Sequence, residues 1–374
     1  MIAHKNPFCF KELSLTDPFC DRKKESSELL SYAKGLANVL VYSPRRYGKT
    51  SLIKRVQNEL SKEGAITIFA DFFGISSIDD IAQRLAKSVF EVTKPNDGLF
   101  KSAIKALKIF RPVLKLDIDG SPTLAVESAA GRVEGMKLLE ETLSSITEFT
   151  SKENFLFNIT FDEFQEVTNL SNSPAIEGVM RSYIQKQKVS YFFVGSRRHI
   201  LLSMFNDRKR PFFQSAINYE LGLLSTDKLS QFIMDLFNSS GKKCNIEMAE
   251  KISNITEGHP YYSQKIAFFA FEVSEKEVDE KNIKDAFANF IQSEKPVFEA
   301  IIQGLSPQQI ALLKAVANEP SGSVFSLGYM KKHGLGSTGG IQGALKKLIS
   351  LDLIEQHTDK VIKLVDPIFC TFLR

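Results

Sequence analysis

Cysteine is scarce in this chain of 374 residues, long apolar runs are missing, and charge is almost balanced. The four cysteines, Cys9, Cys20, Cys244 and Cys370, have neither the paired short spacing of a zinc site nor the pattern of a disulfide framework. They read as reduced thiols. No stretch of about 18 apolar residues is available to cross a bilayer, and no N-terminal segment has the form of a signal peptide. These absences lead us to expect a cytoplasmic protein with no membrane partner. The 48 Lys and Arg against 44 Asp and Glu leave +4 at pH 7, too small an excess to demand or exclude nucleic acid. Internal repeats and low-complexity tracts are also missing. What remains is an ordinary globular composition, 43% hydrophobic and 25% charged, long enough for two or three domains.

Periodicity then divides the chain. Asn38–Tyr42, Ala65–Ala70, Phe155–Phe161, Val189–Ser196 and Ile217–Leu223 read as strands. Helical faces alternate with them: Leu52, Ile53, Val56 and Leu60 mark a helix over Lys49–Lys62, and Ile78, Ile81, Ala82, Leu85 and Val89 mark the next. This alternation predicts an α/β core with a parallel sheet covered by helices. Between about 94 and 135 it loosens into a Lys-rich helix and the run DIDGSPTLAVESAAG, an insertion carrying a hairpin or extended arm. From Ser225 amphipathic helices take over, beginning with Leu229, Phe232, Ile233, Leu236 and Phe237. The last segment has three helical faces and two short strands across a turn at Thr358–Asp359, the outline of a winged helix. The expected division is 1–224, 225–304 and 305–374.

The first strand runs straight into SPRRYGKTSL, Ser43 to Leu52. A triphosphate needs many donors converging on a small volume. A turn that ends in a helix N-terminus supplies unpaired amides and the positive end of the helix dipole together. Gly48 would let the backbone come close where a Cβ would clash, Lys49 would reach the β- and γ-phosphates, and Thr50 would ligate Mg²⁺. The cofactor-binding stretch is thus Ser43, Pro44, Arg45, Arg46, Tyr47, Gly48, Lys49, Thr50 and Ser51. Ser43 replaces the first glycine of the Walker A pattern, and the competing reading is a surface turn capping an ordinary helix.

A second motif answers the first. Alternating Phe155, Phe157, Ile159 and Phe161 predict a buried strand, here expected to neighbour the first, that ends in Asp162-Glu163. Ligands of open α/β sheets bind at the C-terminal ends of strands. Asp162 there would hold Mg²⁺ through its water shell, and Glu163 would orient and deprotonate an attacking water. Taken alone, the pair could equally be a solvated strand end.

With these residues in place, the chain resembles the AAA+-related P-loop ATPases of the archaeal-type ATPase family, close to the STAND signalling NTPases. The resemblance rests on NPF, DPFCDRKKE, SPRRYGKTSL, TFDEFQEV, FFVGSRRH, RPFF, EGHPYYSQ and DPIFCTFLR, in that order over nearly the whole length. It implies an ASCE-type P-loop NTPase core over 1–224, a helical lid over 225–304 and a winged helix over 305–374. It also implies that Lys49 and Thr50 bind phosphate and Mg²⁺, that Asp162 binds Mg²⁺ and that Glu163 is the catalytic base. Ser196 falls at the sensor position, where the other reading is a cap for the next helix. His259 and Pro260 fall in a lid element facing the nucleotide, although His259 could equally be a satisfied turn histidine. Arg208 and Arg210 lie where AAA+ relatives carry an arginine finger that acts in trans within a homo-oligomer; the alternative is a solvated loop. Phe19 and Arg22 would line the adenine pocket, against the plainer reading of Phe19 as a hydrophobic staple.

Three functions stay open from sequence: an ATP hydrolase whose nucleotide state switches its conformation, a DNA-associated ATPase anchored by its winged helix, and an ATP-binding scaffold with little turnover. Residues 306–374 carry eight Lys and Arg against five Asp and Glu. The third winged-helix face offers Gln342, Lys346 and Lys347 among small residues, which suits nonspecific duplex contact or a protein partner better than base reading.

Overall fold

A computed structural model describes residues 5–116, 122–128, 134–356 and 361–374. They fall into two compact units, one of residues 22–45 and 49–221, the other of 1–21, 46–48 and 222–374.

The first unit is built from α1 (Lys23–Lys34), β1 (Val39–Tyr42), α2 (Lys49–Lys62), β2 (Ile66–Asp71), α3 (Ile78–Thr93), α4 (Asp97–Ala106), β3 (Phe110–Leu116), β4 (Pro122–Ser128), α5 (Gly135–Lys152), β5 (Phe157–Asp162), α6 (Ser173–Ile184), β6 (Ser190–Gly195), α7 (Arg198–Asn206) and β7 (Ile217–Glu220), with a 3-10 turn at Phe164–Asn169. Five strands form one parallel sheet in the order β2-β5-β6-β1-β7. Every residue of β1, β5 and β6 is buried, as expected of central strands covered on both faces.

Two expectations about β5 need correction. Phe155 is 44% exposed, because the strand opens only at Phe157, so it is no part of the buried alternation. Nor does β5 neighbour β1: β6 lies between them, and the acidic pair is one strand further from the loop than expected. The intervening polar positions of β5 are also buried, and hydrogen bonds compensate them. Gln57 Nε2 on α2 donates to Asn158 Oδ1 and Thr160 Oγ1, both at 2.9 Å. The insertion holds α4 and the antiparallel hairpin β3–β4, with Phe110 opposite Ser128. The rest of its polar run, 117–121 and 129–133, lies outside the described residues.

The second unit continues with α8 (Thr226–Ser239), α9 (Ile246–Ile255), α10 (Pro260–Val273), α11 (Glu280–Gln303), α12 (Pro307–Asn318), α13 (Leu327–Lys332), α14 (Thr338–Ser350), β8 (Ile354–Gln356), β9 (Ile362–Leu364) and α15 (Pro367–Leu373). Its helix starts carry their own punctuation: Asp279 and Ser306 form capping boxes, and Asn245 caps α9. One hydrophobic cluster runs from Leu229 on α8 to Leu373 on α15. The helical segment and the winged helix therefore share a core. Phe298 of α11 stacks on Phe369 of α15 at 5.1 Å, and the Tyr262 hydroxyl donates to Asp366, the cap of α15. That last helix went unread in the sequence, and the turn expected at Thr358–Asp359 lies outside the described residues. Among the described residues no helix is long and apolar enough to cross a membrane.

Candidate functional site

Where β1 ends, the chain turns through Ser43–Gly48 and α2 opens at Lys49. Gly48 has φ 84°, and a Cβ built on it would meet no protein atom within 4 Å. The positive φ by itself asks for glycine here. The loop closes on Lys49, whose Nζ donates to the carbonyls of Ser43 (2.9 Å) and Pro44 (2.8 Å) and to Ser43 Oγ (3.3 Å). Burial pushes the Lys49 ammonium down to about 8 despite the opposing pull of Glu163 and Asp162. Ser51 is buried in the first turn of α2, while Arg45 is exposed.

Thr50 Oγ1 donates to Asp162 Oδ2 at 2.8 Å, joining the start of α2 to the end of β5. Asp162 is buried, which raises its carboxyl to about 6 against the stabilising bond from Thr50. Glu163 follows at φ 50°, in the left-handed region, where the strand breaks into the 3-10 turn. That turn is anchored by Phe164, fully buried against Phe193 (4.8 Å), Phe212 (5.4 Å) and Phe161 (5.9 Å). Ser196, at the end of β6, donates its hydroxyl to Glu163 Oε2 at 3.0 Å. It does not cap α7: the cap position is Arg197, which makes no side-chain capping bond. Ser43, Pro44, Lys49, Thr50, Asp162, Glu163 and Ser196 thus assemble in one unit, at the C-terminal ends of β1, β5 and β6.

The other candidates have different surroundings. Arg210 donates from Nε to Glu177 Oε2 (3.1 Å) and from Nη2 to Glu177 Oε1, a bidentate pair with a fully buried carboxylate of α6. Arg208 is exposed. Arg22, 4% exposed at the start of α1, pairs with Glu25 at 2.7 Å. Phe19 is half-buried in the second unit.

Arg46 and Tyr47, though inside the loop, group with the second unit. The Arg46 guanidinium lies 4.1 Å above the Tyr261 ring and 3.5 Å from Glu294, and Tyr47 packs on His259 at 4.9 Å. His259 caps α10 by accepting from the Tyr262 amide at 3.4 Å, with Pro260 as the first helical residue. Burial depresses His259 to about 3, so the imidazole is neutral. Gly258 before it has φ 79°, and a Cβ there would stand 2.2 Å from the Leu224 carbonyl oxygen, so the turn tolerates only glycine. Sequence reasoning missed Gln165, Gly195 and Glu294. None of these carried a signal, since Gln165 lies in a turn, Phe164–Asn169, that is itself mostly polar.

A parallel sheet with the loop strand and the acidic strand separated by a third is the architecture of a P-loop NTPase. The chain belongs to the family described as an ATPase domain predominantly from Archaea, whose model matches residues 19–266, and it is an ATP-binding, ATP-hydrolysing protein. A family described as a probable winged helix domain matches residues 296–374. Among solved structures it is similar to the Walker-type ATPase paby2304 of Pyrococcus abyssi, with TM-score 0.71, 17% identity, and 98% of this chain and 99% of that one covered. It is also similar to the ORC2 protein of Aeropyrum pernix, solved as ADPNP-ADP complexes, with TM-score 0.60, 15% identity and coverage of 97% and 94%. At such identities these likenesses speak for the fold alone. No curated protein matches the chain.

Proposed function

We propose that the chain binds Mg²⁺-ATP at Ser43–Ser51, hydrolyses it, and uses the nucleotide state as a conformational switch. The observation that carries this reading is the Thr50–Asp162 hydrogen bond beside the buried Lys49 ammonium. A hydroxyl and a carboxylate oxygen 2.8 Å apart are hard donors that suit Mg²⁺, which keeps most of its shell as water and phosphate. Thr50 and Asp162 would hold the ion, whose charge offsets that of the β- and γ-phosphates. Lys49 would exchange the carbonyls of Ser43 and Pro44 for phosphate oxygens. Glu163 would orient the attacking water and take its proton, and Ser196, bonded to Glu163, would relate the base to the γ-phosphate.

The switch reading draws support from the loop's own tip. Arg46 and Tyr47 rest on Tyr261, Glu294 and His259, so a loop that rearranges around phosphate acts on α10 and α11. Because α11 packs on α15, the displacement would pass into the winged helix. In this scheme 1–224 is the catalytic core, 225–304 the lid and 305–374 the output element, and the trans arginine of a homo-oligomer is Arg208 or Arg210. Titration of a fluorescent ATP analogue tests the site. Lys49→Ala is expected to weaken binding by on the order of 10- to 100-fold, the worth of a charge-assisted contact, and unchanged affinity would count against the loop assignment.

One observation favours a DNA-associated variant: Gln342, Lys346 and Lys347 are all exposed on α14. Turnover measured with and without duplex DNA separates the two readings, stimulation supporting the DNA-associated one.

A further inference from the structure

We infer that Gln165 is a positioning residue for the hydrolytic carboxylate: seated on Gly195, its amide fixes the Glu163 side chain beside Ser196. The inference rests on the role proposed for Glu163 and adds a residue that the loop and acidic motifs leave out.

Gln165 is fully buried, two residues past Glu163 in the 3-10 turn. Its Nε2 donates to Glu163 Oε2, the same oxygen that accepts from the Ser196 hydroxyl. At its other end Oε1 is buried without a hydrogen-bond partner. A long amide with one end unpaired is an expensive way to fill apolar space, since Leu or Met would occupy the volume with no polar atom to desolvate. Packing alone therefore does not account for it. The amide's orientation follows from its neighbour, because reversal would set the carbonyl oxygen against a carboxylate.

Gly195 belongs to the same device. A Cβ on it would lie 1.9 Å from Gln165 Oε1 and 3.1 Å from Cδ, so the amide lies directly across the glycine. The end of β6 thus supplies two consecutive parts, Gly195 as the notch that admits the amide and Ser196 as the second donor. Both donors reach Oε2, and none of the described hydrogen bonds goes to Oε1 of Glu163, which leaves that oxygen to accept from a water. Glu163 sits in the left-handed region at a strand break, a conformation that persists only where its surroundings hold it, and the two donors fix the side chain there.

The test compares Gln165→Met, which keeps the volume and removes the donor, with Gln165→Ala and with Glu163→Gln as reference. Each protein is measured for steady-state ATP turnover, affinity for a fluorescent ATP analogue, and thermal unfolding. The expected result is that Gln165→Met unfolds and binds nucleotide like the wild type yet loses roughly 10- to 100-fold in kcat, the scale of a misplaced catalytic group, and that Gln165→Ala loses at least as much. Two results would overturn the inference while sparing the reading of Glu163. In one, Gln165→Met turns over normally although Glu163→Gln does not; in the other, the Met protein loses stability and affinity in step with kcat. If Glu163→Gln itself turns over normally, the reading of Glu163 fails and the inference with it.

Discussion

Lys49 and Asp162 are both buried, with opposite consequences for charge. Burial holds the Lys49 ammonium down to about 8 in a loop of carbonyls, and a phosphate beside it would favour the protonated form. Nucleotide binding is then expected to take up a proton above that pH. Affinity should fall as pH rises through 8, and the fall should vanish in Lys49→Ala; titrations on either side of pH 8 check this. Asp162 is raised to about 6 by burial, so its proton must leave before the carboxylate can serve Mg²⁺. Mg²⁺-supported turnover is expected to decline as pH drops below about 6, and a pH profile flat through that value would contradict the assignment. Lys49, Thr50, Asp162 and Glu163 could be singled out as candidates because they stand at fixed offsets from a strand end, and local spacing is what a sequence displays. Gln165 was hidden because its partners, Glu163 and Gly195, meet it only when β5 and β6 pair. Asn158 and Thr160 were hidden for a related reason, since the Gln57 amide that satisfies them lies on α2.

At the scale of elements, alternation of apolar runs and helical faces revealed five core strands, of which β1, β5 and β6 are buried throughout while β7 is largely exposed. Their order was not legible: that β6 separates β1 from β5 depends on crossovers, which periodicity does not record. α15 went unread although Asp366-Pro367 is a helix-start signal. The segment between α7 and β7 carries the sharpest question. Arg210 spends both arms of its guanidinium on buried Glu177, while Arg208 is exposed. Removing one partner of a buried pair leaves an uncompensated charge, so Arg210→Ala is expected to cost on the order of 3 kcal/mol in stability. Arg208→Ala should unfold like the wild type and, if it acts in trans, lose about 10³ or more in turnover. Denaturant unfolding and steady-state turnover of both variants check the pair; a stable Arg210→Ala protein with selectively lost turnover would assign the finger to Arg210.

For the whole molecule, the account makes the loop the place where nucleotide acts on protein. Its flanks are closed by the Lys49 ammonium on the Ser43 carbonyl, the proposed phosphate site, while Arg46 and Tyr47 at its tip pack on α10 and α11, whose core continues into the winged helix. The composition hinted at none of these contacts, since a ring contact such as Tyr47 on His259 joins residues far apart in the chain. All of it depends on ATP being held and cut where β1, β5 and β6 end. The most direct measurement is ATP binding and steady-state hydrolysis with Mg²⁺ in parallel, for the wild type and Glu163→Gln. The account predicts that the variant binds ATP within a few-fold of the wild type and loses about 10²- to 10⁴-fold in turnover, the worth of a general base. Equal turnover in the two proteins would contradict it.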